Sequence, residues 1–255
     1  MNRVVEGWHR PVVARKMDSR HRLRPSSPTA NTYTLTLTAD KATSLNLTGS
    51  NNFTLTLTGS TKVTTIDGSA MTGKLSVTST NTTSASTIKG GAGNDVLTAA
   101  ATGHTADVLI GGAGDDTLNA NDGLNTLTGG TGNDLFVIGT ASFNLNSYAT
   151  ITDFAAGDLI QFTGATAFSN AKVTLAATAV FQDYANAAIN AVGDGAGAGA
   201  GSIAWFQYGG DTYVVMDKND TATSFTNGTD MVVKLTGSVN LANASFNTTH
   251  GTIAL

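Results

Sequence analysis

A nine-residue block recurs in phase through the middle of the chain. Gly90-Gly91-Ala92-Gly93-Asn94-Asp95-Val96-Leu97-Thr98 returns as Gly111-Gly112-Ala113-Gly114-Asp115-Asp116-Thr117-Leu118-Asn119 and again as Gly129-Gly130-Thr131-Gly132-Asn133-Asp134-Leu135-Phe136-Val137. The shared frame is G-G-x-G-x-D-x-U-x, with U a large apolar residue, the pattern of a parallel β-helix repeat. Its chemistry is legible residue by residue. The glycines allow tight turns and let backbone carbonyls point inward. The aspartate offers a carboxylate to a hard cation that takes six to eight oxygen ligands. The closing x-U-x is a short strand with one apolar residue directed at a core.

Two worn copies keep the phase. Thr102–Ile110 retains Asp107 and an apolar residue without the glycine frame, and Ala120–Thr128 retains Gly123 and Leu127, with Asn125 at the aspartate position. Starts at 102, 111, 120 and 129 are nine apart, and only Ala99–Ala101 interrupts the count. In these residues the chain resembles the RTX family, the glycine-rich calcium-binding repeats of bacterial proteins exported by type I secretion. The resemblance implies a β-roll in which two nonapeptides make one coil and alternate repeats stack on one side. It places the three good repeats on one side and the two worn ones on the other. About two calcium sites are then expected on the good side. One would use Asp95 and Asp116, the other Asp116 and Asp134, with the glycine frames Gly90, Gly91, Gly93, Gly111, Gly112, Gly114, Gly129, Gly130 and Gly132 around them. The opposite side, with Asp107 facing Asn125, is expected to be weak or empty.

Charge and composition agree with an extracellular repeat protein. There is no cysteine, which excludes a disulfide framework and a Cys-based zinc site. Of the 14 Lys and Arg, seven lie in the first 24 residues, and no arginine follows Arg24. From residue 31 onward seven lysines face sixteen aspartates. An acidic body without a basic stripe argues against a nucleic-acid partner. It repels itself until a cation binds, which suits folding triggered by calcium.

Residues 1–30 hold all three prolines and every arginine and show no periodicity. Val4-Val5 and Val12-Val13-Ala14 are cut apart by Glu6, His9 and Arg10, so no apolar core of a secretory signal forms. No stretch reaches the ~18 apolar residues of a membrane span. The expectation is a disordered basic leader outside the fold. Residues 31–89 read as a different repeat region. Thr34–Thr38, Ser44–Thr48 and Thr54–Thr58 alternate strictly, and Val63–Ile66, Leu75–Val77 and Ile88 follow at solenoid-like intervals. Leucines are expected inside and threonines outside. Ranks of threonine can bind ice, but only two rungs carry the full ladder in sequence, and threonine is a favourable solvent-facing strand residue in any case. The segment Thr65–Leu75 ahead of the repeats resembles the corresponding region of RTX-bearing S-layer proteins.

Beyond the repeats, Ile151-Thr152-Asp153-Phe154-Ala155-Ala156-Gly157-Asp158-Leu159-Ile160 resembles the I-x-D-F-x-x-G-D-x-I segment that follows RTX repeats in secreted proteases and S-layer proteins. It reads as strand, turn, strand. Thr178 is a candidate cap for a helix with Phe181, Ala185, Ala188 and Val192 on one face. The Gly/Ala run 193–201 reads as a flexible loop. Ile203–Tyr208 and Thr212–Met216 flank Gly209-Gly210-Asp211 as a hairpin, and 230–235 is a further strand. Asp217-Lys218-Asn219-Asp220 is a polar turn rather than an EF-hand, since Ala222 and Gly228 stand where that loop needs Gly and Glu. The sparsely charged end, residues 221–255, resembles the uncleaved C-terminal export signal of type I substrates.

Enzyme chemistry finds no support in the sequence. His9, His21, His104 and His250 are scattered, Glu6 is the only glutamate, and neither H-E-x-x-H nor G-x-S-x-G occurs. The expected fold is all-β: a disordered leader (1–30), Thr-rich β-solenoid rungs (31–89), an RTX calcium β-roll (90–137) and a mostly β C-terminal region with one short helix and the secretion signal (138–255). The expected role is a non-enzymatic extracellular calcium-binding structural protein, S-layer-like. It is expected to be secreted without an N-terminal signal peptide through the type I apparatus and to self-associate into a surface layer. The non-catalytic tail of an RTX enzyme and an adhesin or ice binder remain as alternatives.

Overall fold

The computed structural model describes residues 4–6, 21–24, 32–37, 42–58, 62–103, 105–121, 123–139, 148–191, 200–219 and 223–255. The remainder of the leader, His104, Asp122, most of the Gly/Ala run and Asp220 to Ala222 lie outside the described residues. The chain divides into two compact units, 1–135 and 136–255.

Short alternating strands build the first unit. In chain order they are β1 (Val4–Glu6), β2 (His21–Arg24), β3 (Thr32–Leu37), β4 (Ser44–Gly49), β5 (Asn52–Leu57), β6 (Thr65–Met71), β7 (Leu75–Thr78), β8 (Thr87–Lys89), β9 (Val96–Thr98), β10 (Val108–Ala113), β11 (Thr117–Asn119) and β12 (Thr126–Thr131). From β3 onward, even-numbered strands pair with even and odd with odd, in parallel. One even strand, a turn, one odd strand and a second turn make a coil, and the solenoid has about five. The backbone of β2, from the arginine-rich leader, pairs with β4, and β1 with β2.

Alternation decides what each coil buries. Leu45, Ile66, Ile88, Leu109 and Leu127 form one column, and Leu35, Leu55, Val77, Leu97 and Leu118 another. All are 4% exposed or less. The apolar residue of each nonapeptide therefore faces the core, as its position predicts. Each such side chain stabilises the roll by about 1.5–3 kcal/mol, which lets a chain without cysteine hold a narrow core.

The outward residues of the odd sheet line up as two files. One runs Thr34, Thr54, Ser76, Val96, Thr117; the other runs Thr36, Thr56, Thr78, Thr98, Asn119. Thr56 and Thr78 stand one residue beyond the paired Leu55 and Val77. The threonine ladder thus continues past the two rungs visible in sequence. Turns of unequal length hide the continuation, and only the pairing register brings Thr78 and Thr98 into line.

The second unit contains β13 (Leu135–Ile138, beginning at the division), β14 (Ala149–Ile151), β15 (Leu159–Phe162), β16 (Ala167–Val173), β17 (Ser202–Tyr208), β18 (Asp211–Asp217), β19 (Met231–Leu235), β20 (Ser245–Asn247) and β21 (Thr252–Ala254). β17 and β18 form the expected hairpin, with Tyr208 opposite Asp211 and both Gly209 (φ 62°) and Gly210 (φ 94°) in the positive region. Two consecutive positive φ values are what a tight two-residue hairpin turn demands. Asp158 closes the predicted turn after β14, its Oδ2 accepting the Ala155 N–H at 2.9 Å. β21 runs antiparallel to β15, so the C-terminal strand is part of this unit's sheet, with Ile253 fully buried.

The one helix among the described residues is α1 (Phe181–Ile189). Its N-cap is Val180, not Thr178, because Asp183 reaches back to accept the Val180 N–H at 2.9 Å. That half of a capping box satisfies an otherwise orphaned donor. The helix ends at Ile189, short of Val192. Ala185, Ala188 and Ile189 pack on Phe206, Val215 and Val232. Asp217 ends β18 in a polar turn, accepting the Asn219 N–H, and Asp230 accepts from Lys218 and Thr226.

Candidate metal centre

The glycine-rich turns carry three aspartates into one column. Asp116 Oδ1 accepts the Asp95 N–H at 2.7 Å across 21 residues, and Asp134 Oδ1 accepts the Asp116 N–H at 2.9 Å across 18. The three additional residues in the longer span match Ala99–Ala101. Asp95 Oδ1 accepts the Leu75 N–H at 2.6 Å. Asp95, Asp116 and Asp134 are each 1–2% exposed. The alternate repeats therefore stack on the same side, and the structure brings the three carboxylates together.

The first glycine of each repeat faces that repeat's own carboxylate. A Cβ on Gly90 would collide with Asp95 Oδ2 and the Gly111 carbonyl; on Gly111, with Asp116 Oδ2 and the Gly129 carbonyl; on Gly129, with Asp134 Oδ2. Carboxylate and carbonyl oxygens thus converge where only a hydrogen leaves room. The second glycines stack as well: Gly112 (φ 119°) and Gly130 (φ 107°) hold backbone angles that L side chains avoid, directly against the carbonyls of Gly91 and Gly112.

One atom in this column is unsatisfied. Asp116 Oδ2 is buried without a hydrogen-bond partner, whereas Asp95 Oδ2 accepts the Gly91 N–H at 2.6 Å. Burial pushes the Asp116 carboxyl up to about 7; the Asp95 N–H opposes the shift, and the neighbouring carboxylates of Asp95, Asp134 and Asp115 add to it. Burial raises Asp95 in the same direction. A buried acceptor with no donor is costly, and a hard cation is the partner that suits a carboxylate flanked by carbonyls. Among the described residues no three acidic, histidine or cysteine side chains cluster tightly enough to hold a metal alone. The carbonyls of Gly111 and Gly129 are therefore a needed part of any ligand set, and the donors present fit calcium.

This convergence has a direct consequence. Gly111→Ala should lower calcium affinity and also destabilise the roll by about 1–3 kcal/mol through overpacking. Gly139→Ala, whose Cβ would meet only Thr163 Oγ1 at ordinary contact, should do neither. Thermal melts with calcium and with chelator test both; equal behaviour of the two variants would remove the cradle's claim to function.

The opposite side satisfies itself. Asp107 Oδ1 accepts the Ser86 N–H at 2.7 Å and its Oδ2 the Ala100 N–H at 2.9 Å. Asn125 Oδ1 accepts the Asp107 N–H at 2.7 Å, while its Nδ2 donates to the Ala120 carbonyl. An amide stands here where the good side has a second carboxylate.

Two features were not anticipated. Leu75 occupies the aspartate position of the preceding coil, in step with Asp95, so the aspartate column ends there. The segment before it, from Gly68 in β6 to Gly73, aims the carbonyls of Gly68 and Met71 at Gly91. Its two additional residues break the nine-residue period. In addition, the fifth positions form a counter-running ladder: Asn94 Oδ1 accepts the Asp115 N–H at 3.1 Å and Asp115 Oδ1 the Asn133 N–H at 2.8 Å. That ladder ties exposed Asp115 to structure, while its neighbour Asp116 points inward.

Residues 82–101 and 105–136 match the family model for the RTX calcium-binding nonapeptide repeat, in four copies. No curated protein matches the chain. With the parallel solenoid that carries them, these RTX calcium-binding nonapeptide repeats fit an RTX β-roll protein.

Proposed function

We propose that the chain is an extracellular, non-enzymatic structural protein of surface-layer type whose roll folds when calcium binds after type I secretion. The observation that carries this reading is Asp116 Oδ2, buried and unpartnered between two further aspartates. Bound calcium would supply positive charge to that column. Asp116 would serve two sites, with Asp95 and Gly111 on one side and Asp134 and Gly129 on the other. Without a cation, three buried carboxylates repel one another in the column and weaken the coils that hold them. Low cytosolic calcium would therefore leave the repeats loosely folded and fit for passage through a narrow channel. The C-terminal strand β21 would be free for the export apparatus only before it joins β15. Among the described residues no helix is long and apolar enough to cross a membrane.

Far-UV circular dichroism in chelator, followed by separate titrations with calcium and magnesium, tests the reading. A calcium-selective gain of β signal is expected, saturating in the ~10⁻⁴–10⁻³ M range of extracellular modules, with calorimetry counting about two sites. A fully folded spectrum in chelator, unchanged by calcium, would reduce the cation to a local clamp and remove the basis for secretion-coupled folding. Calcium-dependent growth in light scattering with ordered sheets in micrographs would support the surface layer; a strict monomer under all conditions would oppose it.

A further inference from the structure

The outward face of the odd sheet has a chemistry that calcium binding does not use. We propose that this face binds ice, through an array centred on Thr34, Thr36, Thr54, Thr56, Thr78 and Thr98. Thr34, Thr36, Thr56 and Thr78 are exposed, and Thr54 and Thr98 half-buried. The pairing of β3, β5, β7, β9 and β11 shows no register shift, so hydroxyls follow one another from coil to coil. Neighbouring coils place them about 4.8 Å apart, and alternate residues along a strand about 6.6 Å apart. Both intervals lie near repeats of the oxygen lattice of ice.

Each threonine presents a hydroxyl that donates and accepts, beside a methyl group. Its branched Cβ stiffens χ1, so little rotamer freedom is left to lose on meeting an ordered surface. The two files contain no charged and no aromatic residue. A charged mineral would need ionic partners, and a crystalline polysaccharide would be met by aromatic platforms. Neither is offered. General β propensity of threonine should enrich both sheets alike, yet the even sheet places Asp67 and Lys89 in paired outward positions, and its register shifts between Asn46 and Thr48. The even sheet has one uncharged file (Ser44, Thr65, Thr87, Val108, Thr126), but two adjacent outward files free of charge occur on the odd face alone.

The test uses the full chain in excess calcium, with circular dichroism verifying the fold of every sample. Wild type is expected to shape ice crystals, inhibit recrystallisation and show thermal hysteresis. Thr56→Lys and Thr78→Lys, each placing a charge on an exposed central position, should abolish the hysteresis. Thr87→Lys, on the even sheet, should leave it intact. A folded wild type with no effect on ice overturns the proposal, as does activity retained in both odd-sheet variants or lost equally in all three. Because the fold is checked separately, failure here leaves the calcium reading untouched, and failure of calcium-dependent folding appears in the spectra first.

Discussion

Asp116→Asn is expected to move stability in opposite directions according to calcium. In chelator the variant should melt at or above the wild-type temperature; in saturating calcium it should melt well below. The chelator result follows from what Asn keeps. Its Oδ1 can still accept the Asp95 N–H, and its Nδ2 can donate toward the carbonyl oxygen of Gly129, which lies beside Asp116 Oδ2 around Gly111. The protein already contains such an arrangement on its other side, where Asn125 accepts from Asp107 and donates to Ala120. The substitution removes a buried charge and supplies a donor where an unpartnered acceptor stood.

The calcium result follows from sharing. A site filled at a hundred times its dissociation constant adds about 2.7 kcal/mol, so losing two costs about 5 kcal/mol. That is a large part of the ~5–15 kcal/mol stability of an ordinary domain. Asp95→Asn should cost only about one site, because Asp95 stands at the end of the column, next to Leu75. Equal losses from the two variants would mean that Asp116 is not shared. Full calcium stabilisation in Asp116→Asn would remove the aspartate column as the binding site.

What could be read from the sequence was whatever repeats with a fixed period. The nonapeptide frame assigned Leu97, Leu109, Leu118 and Leu127 to the core and stacked Asp95, Asp116 and Asp134, and each prediction of placement matches the observed column. The two-glycine hairpin was equally legible, because Gly209-Gly210 encodes its backbone angles locally. Features that depend on register between distant coils were hidden. Leu75 joins the aspartate column, and Thr78 and Thr98 join the threonine file, only through pairings 20 or more residues apart. The helix start is hidden in the sequence for a different reason. Thr178 has the stronger cap propensity, but Asp183 makes its hydrogen bond three residues back, to Val180, and that geometry fixes the start.

The calcium-free protein should lose stability as pH rises through about 7, while calcium affinity should climb over the same interval. Asp116 has a folded pKa of about 7 against an ordinary value of 3.8. A carboxyl raised on folding holds a proton that the unfolded chain has released. Its contribution to stability is therefore fully present below the unfolded pKa and disappears as pH rises through the folded one. The cause is burial beside like charges: once ionised, Asp116 has no partner for Oδ2 and faces Asp95 and Asp134. The full span corresponds to about 4 kcal/mol at most. Calcium binding requires the ionised form, so below about pH 7 it must expel a proton, and affinity weakens with acid. Thermal melts in chelator across this range should slope downward, and binding enthalpies in buffers of different ionisation heat should reveal the proton released. Asp116→Asn should flatten the chelator profile. A slope that survived in that variant would assign the proton to Asp95, which burial shifts in the same direction, and would move the electrostatic centre of the column one coil toward Leu75.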